Sequence, residues 1–227
     1  MANILITGGS RGIGKSIVEY LAAEQQHRIL VISRTVLPLQ ADNVFFLSFD
    51  LGQIHLQAEH LFEQVNAYFN SIDIIINNAG LLTNKSFEDT TFNEAERMVY
   101  LNYLAPAWLV RTLLPLLKRA NHPHVVNIGS MGGVQGSSKY KGLAWYSSSK
   151  AAMSSLTECL AVELAQYNIA VNCLALGAVN TEMLQEAFPG YRAPVEPAQI
   201  ARFIAEFAQS AHQVMNGKIV PVALSNP

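Results

Sequence analysis

Residues 145–156 read WYSSSKAAMSSL, with Tyr146 and Lys150 four positions apart and only serines between them. On a helix, positions i and i+4 share a face. A phenol one turn from a cation can be an acid–base pair. A free tyrosine titrates near pH 10, roughly three units above neutrality, and a nearby positive charge favours the phenolate. The same spacing also arises by chance, so by itself it equally fits a surface tyrosine beside a surface lysine. Ser130 closes the apolar run HVVNIGS (124–130) and sets a hydroxyl at the end of a candidate strand. Ile128, not glycine, stands two before Ser130, so the nucleophile elbow of a hydrolase is absent. None of the six histidines (27, 55, 60, 122, 124 and 212) occupies an evident triad position.

A second chemistry lies at the start of the chain. ILITGGSRGIGKSI (4–17) sets Gly8, Gly12 and Gly14 between an apolar run and a helical pattern, with Ser10, Arg11 and Ile13 among them. Glycines there permit a tight turn and close approach of a pyrophosphate, and the helix N-terminus offers free N–H groups to it. The spacing is T-G-x-x-x-G-x-G rather than the common G-x-G-x-x-G. About 20 residues on, where an NAD site offers a carboxylate, this chain has ISRT, with Ser33 and then Arg34. Nothing there repels a 2′-phosphate, and the guanidinium fork of Arg34 can pair with one, with Arg11 adding charge. The pattern favours NADP(H) over NAD(H).

These groups need a frame. Apolar runs at 3–7, 28–33, 44–50, 72–80, 124–130, 169–176 and 217–224 predict seven strands. Helical patterns at 13–25, 55–69, 93–119, 146–167 and 197–210 lie among them. Continuous apolar strands alternating with helices predict a parallel sheet covered on both faces, a doubly wound Rossmann-type α/β fold. No linker composition interrupts residues 1–227, so one domain is expected. The irregular stretches 131–145 and 177–196 follow strand ends, where such folds bind ligands.

Half of the 227 residues are apolar, 14% are charged and the net charge is −2, which excludes a general nucleic-acid or anionic-membrane binder. Cys159 and Cys173 have no partner pattern for a disulfide or a zinc site, and both read as buried apolar residues in a reducing compartment. No metal is expected. ANILITGG at the start lacks the features of a signal peptide, and no uncharged apolar run approaches the ~20 residues of a membrane span. The expectation is a soluble, cytoplasmic protein without a membrane partner.

Taken together, these motifs resemble those of the short-chain dehydrogenase/reductase family along nearly the whole chain. TGGSRGIG is similar to its cofactor motif, Asp50 in FDL to its adenine-contacting aspartate, and NNAG (77–80) to the motif ending its fourth strand. Asn102 in YLNYLAP, Ser130, Tyr146 and Lys150 are similar to its catalytic tetrad. The resemblance implies that Tyr146 is the acid–base group, that Lys150 lowers its pKa and binds the ribose, and that Asn102 kinks a helix and holds a relay water. It implies cofactor contacts from Gly8, Ser10, Arg11, Gly12, Ile13, Gly14, Arg34, Asp50, Leu51, Asn78, Ala79, Gly80, Val179 and Thr181, besides Tyr146 and Lys150. The implied activity is NADPH-dependent reduction of a small ketone, aldehyde or 3-oxoacyl carbonyl, reversible to the alcohol. A non-catalytic NADP-binding regulator is the alternative. The pocket walls are expected from Met131, Val134, Leu143, Trp145, Met183, Leu184 and Phe188, with Arg192 as a candidate anion contact.

The chain departs from the family pattern in three places. The Ser130–Tyr146 connection is longer, through SSKYKG; Leu176 precedes Gly177 where proline is usual; and the tail GKIVPVALSNP lacks an acidic-Gly-Gly ending. A homodimer or homotetramer through the helices at 93–119 and 146–167 is the expected assembly.

Overall fold

In a computed structural model, which describes residues 1–36, 39 and 41–224, the seven apolar runs form one all-parallel sheet. The strands are β1 (Asn3–Thr7), β2 (Arg28–Ser33), β3 (Val44–Ser48), β4 (Ile74–Asn77), β5 (His124–Ser130), β6 (Ala170–Leu176) and β7 (Ile219–Val222). Their order is β3-β2-β1-β4-β5-β6-β7. This is the doubly wound arrangement that the continuous apolar runs imply. Successive side chains go to opposite faces: Ile4 and Ile6 enter one core and Leu5 the other. Helices α1 (Gly12–Glu24) and α7 (Pro197–Ser210) cover the first face, and α2 (Ile54–Tyr68), α4 (Ala105–Leu117) and α5 (Ala144–Glu163) the second. The order reverses between β1 and β4, which opens a crevice at the carboxyl ends of the strands.

The helical pattern at 93–119 is not one helix. α3 (Phe92–Val99) passes through a π-helical turn at Tyr100–Leu104 before α4 begins. Pro106 explains the break: it has no N–H to donate to the carbonyl of Asn102, four residues earlier, and its ring crowds that carbonyl. The 177–196 stretch also holds a short helix, α6 (Glu182–Ala187), where sequence periodicity is too brief to register. Its N-terminus is capped by the Thr181 hydroxyl, which accepts from Leu184 N at 3.2 Å.

Cys173 is buried on β6, but Cys159 is exposed on the outer side of α5, so only one of the two cysteines packs inside. Among the described residues no helix is long and apolar enough to cross a membrane, and no group of three or more His, Cys, Asp or Glu is placed to hold a metal ion.

Candidate active site

The floor of the crevice is built by the ends of β1 and β4. Thr7 at the end of β1 is buried, and its hydroxyl accepts from the backbone N–H groups of Asn78 and Ala79 at 3.1 and 3.0 Å. The Asn78 amide donates back to the carbonyls of Thr7 and Gly8 at 3.1 and 3.0 Å. The turn after β4 is thereby locked to the glycine loop after β1. Gly8 has φ +71°, and a Cβ there would stand 2.8 Å from the Ala79 Cα. A Cβ on Gly14 would run into the Gly8 carbonyl and the Asn78 amide. These two glycines let backbone pack on backbone, leaving the first turn of α1 with its N–H groups toward the crevice, a geometry that suits a pyrophosphate.

The resulting cleft has a volume of about 630 Å³. Gly8, Ser10, Arg11, Gly12 and Ile13 line its glycine-loop side, and Arg34, Asp50 and Leu51 the side beyond β2 and β3. Asn78, Ala79 and Gly80 form the floor, with Val179 and Thr181 opposite. Ser130, Tyr146 and Lys150 stand at the inner end. Gly14 and Asn102 lie behind the lining and support it. Asp50 also caps the turn Leu51–Gln53, accepting from Gly52 N at 2.9 Å.

Asn102 is buried, and both ends of its carboxamide are engaged. It accepts from Leu81 N at 2.7 Å and donates to Leu81 O at 2.8 Å and to the Ser149 hydroxyl at 3.0 Å. Ser149 in turn donates to the Tyr146 carbonyl at 2.7 Å. The side chain thus clamps the chain after Gly80 to the helix that carries Tyr146 and Lys150.

The Lys150 ammonium is buried and donates to the Ile128 carbonyl at 2.8 Å, 6.0 Å from the centroid of the Tyr146 ring. Burial lowers its pKa to about 8, and the Cys173 thiol beneath it opposes this only weakly. Burial raises the Tyr146 phenol, partly offset by hydrogen bonding with Ser130. The net shift at Tyr146 is therefore upward, not the net lowering expected from a neighbouring Lys150. One N–H of the ammonium goes to a strand carbonyl, and desolvation dominates at the phenol.

The substrate side of the cleft is apolar. Met131, Leu143, Met183, Leu184 and Phe188 line it as expected, joined by Leu82 and the rings of Tyr140 and Tyr191. Val134 and Trp145 do not line it. Arg192 points away, largely exposed and 3.6 Å from Glu196. The longer connection is folded onto the rim. Lys139 donates to the carbonyls of Gly132 and Val134 at 2.8 and 2.7 Å, and the Gly142 carbonyl accepts from Lys85 N at 3.0 Å.

Arg11 is not free, because it pairs with Glu186 at 2.6 Å. Arg34 makes no ion pair among the described residues. Sequence reasoning missed Thr7, Leu81, Ser149 and Glu186. Of these only Thr7 carries a signal in the sequence, as the residue before the first glycine of the loop.

The model of the family described as short chain dehydrogenase matches residues 2–192. A 3-oxoacyl-[acyl-carrier-protein] reductase of Aggregatibacter actinomycetemcomitans is 31% identical over 201 residues, covering 82% of this chain and 79% of that protein. A dehydrogenase/reductase SDR family protein 7-like of Drosophila melanogaster is 29% identical over 199 residues, covering 82% of this chain; the alignment spans only 60% of the fly protein. Among solved structures, a 3-ketoacyl-(acyl-carrier-protein) reductase from Brucella melitensis complexed with NADH superposes with a TM-score of 0.87 at 23% identity, over 98% of this chain and 96% of the other.

Proposed function

The chain belongs to the short-chain dehydrogenase family, and from that premise we propose that it is an NADPH-dependent reductase of a neutral ketone, aldehyde or 3-oxoacyl carbonyl. The observation that carries the reading is the convergence of Ser130, Tyr146 and Lys150 at the inner end of the cleft that begins at the glycine loop. A nicotinamide cofactor held there supplies the hydride. Ser130 hydrogen-bonds the carbonyl oxygen and fixes it beside Tyr146. Tyr146 delivers its proton to that oxygen, and its raised pKa keeps it protonated beforehand. Lys150, charged below about pH 8, stabilises the phenolate left behind. Asn102 and Ser149 hold the two walls of the site together. The uncharged substrate side favours a substrate without a charge near the carbonyl.

Arg34, exposed beyond β2 with no carboxylate partner among the described residues, supports NADP(H) over NAD(H). The same reading takes the whole chain as one cofactor-binding domain working in the cytoplasm. It assembles as a homodimer or homotetramer, which light scattering at micromolar concentration tests.

The deciding experiment follows oxidation of NADPH and NADH in parallel against aldehydes, ketones and acyl thioesters. Turnover with NADPH is expected, with Tyr146→Phe slower by about 10²–10⁴-fold. Full turnover by that variant removes Tyr146 from the mechanism. Tight NADPH binding with no turnover on any substrate leaves a regulator instead.

A further inference from the structure

Arg11 and Glu186 meet at 2.6 Å across the mouth of the cleft. Arg11 belongs to the glycine loop, and Glu186 to α6, whose Met183 and Leu184 form part of the substrate wall. Both side chains are more than half exposed, at 51% and 63%, so the pair is weak and exchangeable. Glu182, one turn earlier on α6, adds a second carboxylate. Its Oε2 lies 3.4 Å from where a Cβ on Gly12 would stand, and its charge also favours the Arg11 cation. One short helix therefore sets two carboxylates on the loop whose N–H groups and guanidinium make it attractive to anions.

We propose that Glu186 is a cofactor-specificity residue, occupying Arg11 where an adenosine 2′-phosphate would otherwise be held. A 2′-phosphate reaching Arg11 must displace this carboxylate or stand beside it, and both cost affinity. A 2′-hydroxyl carries no charge and leaves the pair intact. Glu186 thus restrains the preference for the phosphorylated cofactor that Arg34 and Arg11 create. By linkage, the phosphate that takes Arg11 releases α6 from the glycine loop, and the substrate wall with it. The inference rests on the NADP(H) reading above.

The test needs no turnover. Calorimetric titration at low salt compares adenosine 2′,5′-bisphosphate with adenosine 5′-monophosphate on the wild type and on Glu186→Gln. The expected result is a two- to five-fold tighter bisphosphate, about the worth of an exposed ion pair, with the monophosphate unchanged. In an Arg11→Ala background the same substitution should then have no effect. If Glu186→Gln moves both nucleotides alike, or neither, Glu186 is not a specificity residue and the inference falls alone. If the wild type does not prefer the bisphosphate, the NADP(H) reading falls and takes the inference with it. Glu186 is exposed, and an unchanged melting temperature for Glu186→Gln separates the effect from folding.

Discussion

The Lys150 ammonium donates to the Ile128 carbonyl at 2.8 Å rather than to Tyr146, whose ring centroid lies 6.0 Å away. β5 therefore does two jobs. Its carbonyl at 128 anchors the cation, and its last residue, Ser130, carries the hydroxyl that offsets part of the burial effect on the Tyr146 phenol. Tyr146 and Lys150 are related through a strand and not only through the helical spacing that joins them in sequence.

Holding that cation in the interior costs stability. Burial lowers the Lys150 pKa from 10.5 to about 8, so the folded state binds fewer protons than the unfolded chain between those values. The full contribution of the neutral amine is present above pH 10.5 and is lost as pH falls through about 8. Near neutrality the charged lysine is thus a burden of about 3 kcal/mol. Lys150→Met should raise the unfolding free energy in urea at pH 7 by about 2–3 kcal/mol while abolishing reductase activity. The stability gap should close as pH approaches 10.5. A less stable variant at pH 7 would show that the buried charge is fully compensated.

Asn102 should behave as a clamp. Its carboxamide satisfies both backbone groups of Leu81 and the Ser149 hydroxyl, all at or below 3.0 Å. Asn102→Ala leaves both backbone groups of Leu81 without this partner, while Ser149 keeps its bond to the Tyr146 carbonyl, and should cost about 2–4 kcal/mol in denaturant unfolding. Ser149→Ala removes only one of the contacts, with a cost nearer 1 kcal/mol. Equal costs for the two variants would mean that the Leu81 contacts contribute nothing.

Strand positions and the glycine loop were legible because both follow local rules: continuous apolar runs such as RILVIS for buried parallel strands, and glycine where backbone meets backbone, as at Gly8. Tyr146, Lys150 and Ser130 were legible as types at a spacing. Their electrostatics were not. Whether Lys150 lowers the Tyr146 pKa depends on where its Nζ points, and the Ile128 carbonyl that takes it is 22 residues away. The Arg11–Glu186 pair spans 175 residues and joins a helix too short to announce itself by periodicity. The break at Asn102 was visible in principle from Pro106 four residues later, but the strong apolar pattern on both sides reads as one helix.

His124 makes the fold sensitive to acid. The ring is fully buried at the start of β5, with Nδ1 2.9 Å from the Ala208 carbonyl and Nε2 2.9 Å from the Asn172 amide nitrogen. A carbonyl only accepts, so Nδ1 carries the proton and Nε2 accepts. The Asn172 Oδ1 is already used by Lys218 N at 3.0 Å, which fixes the amide orientation. Desolvation lowers the pKa from 6.5 to about 4. Its stabilisation is complete above pH 6.5 and drains away as pH falls to about 4, about 3 kcal/mol in all. His124→Gln should remove that share of the decline in unfolding free energy between those pH values. An identical pH slope in the variant would assign acid lability to other groups.

Trp145 directly precedes Tyr146, yet its role is packing. The ring stacks on Phe87, with centroids 5.9 Å apart and planes within 10°, and it does not line the cleft. Its indole N–H is buried without a partner among the described residues, which costs about 1–3 kcal/mol in the folded state. Trp145→Phe keeps the aromatic stack and removes the unpaired donor, while losing some packed volume. The opposing effects should leave stability within about 1 kcal/mol of the wild type. With no contact to the cleft lost, kcat/KM should stay within about three-fold, a change of under 1 kcal/mol in barrier. A ten-fold loss of kcat/KM with stability unchanged would put Trp145 in contact with the substrate.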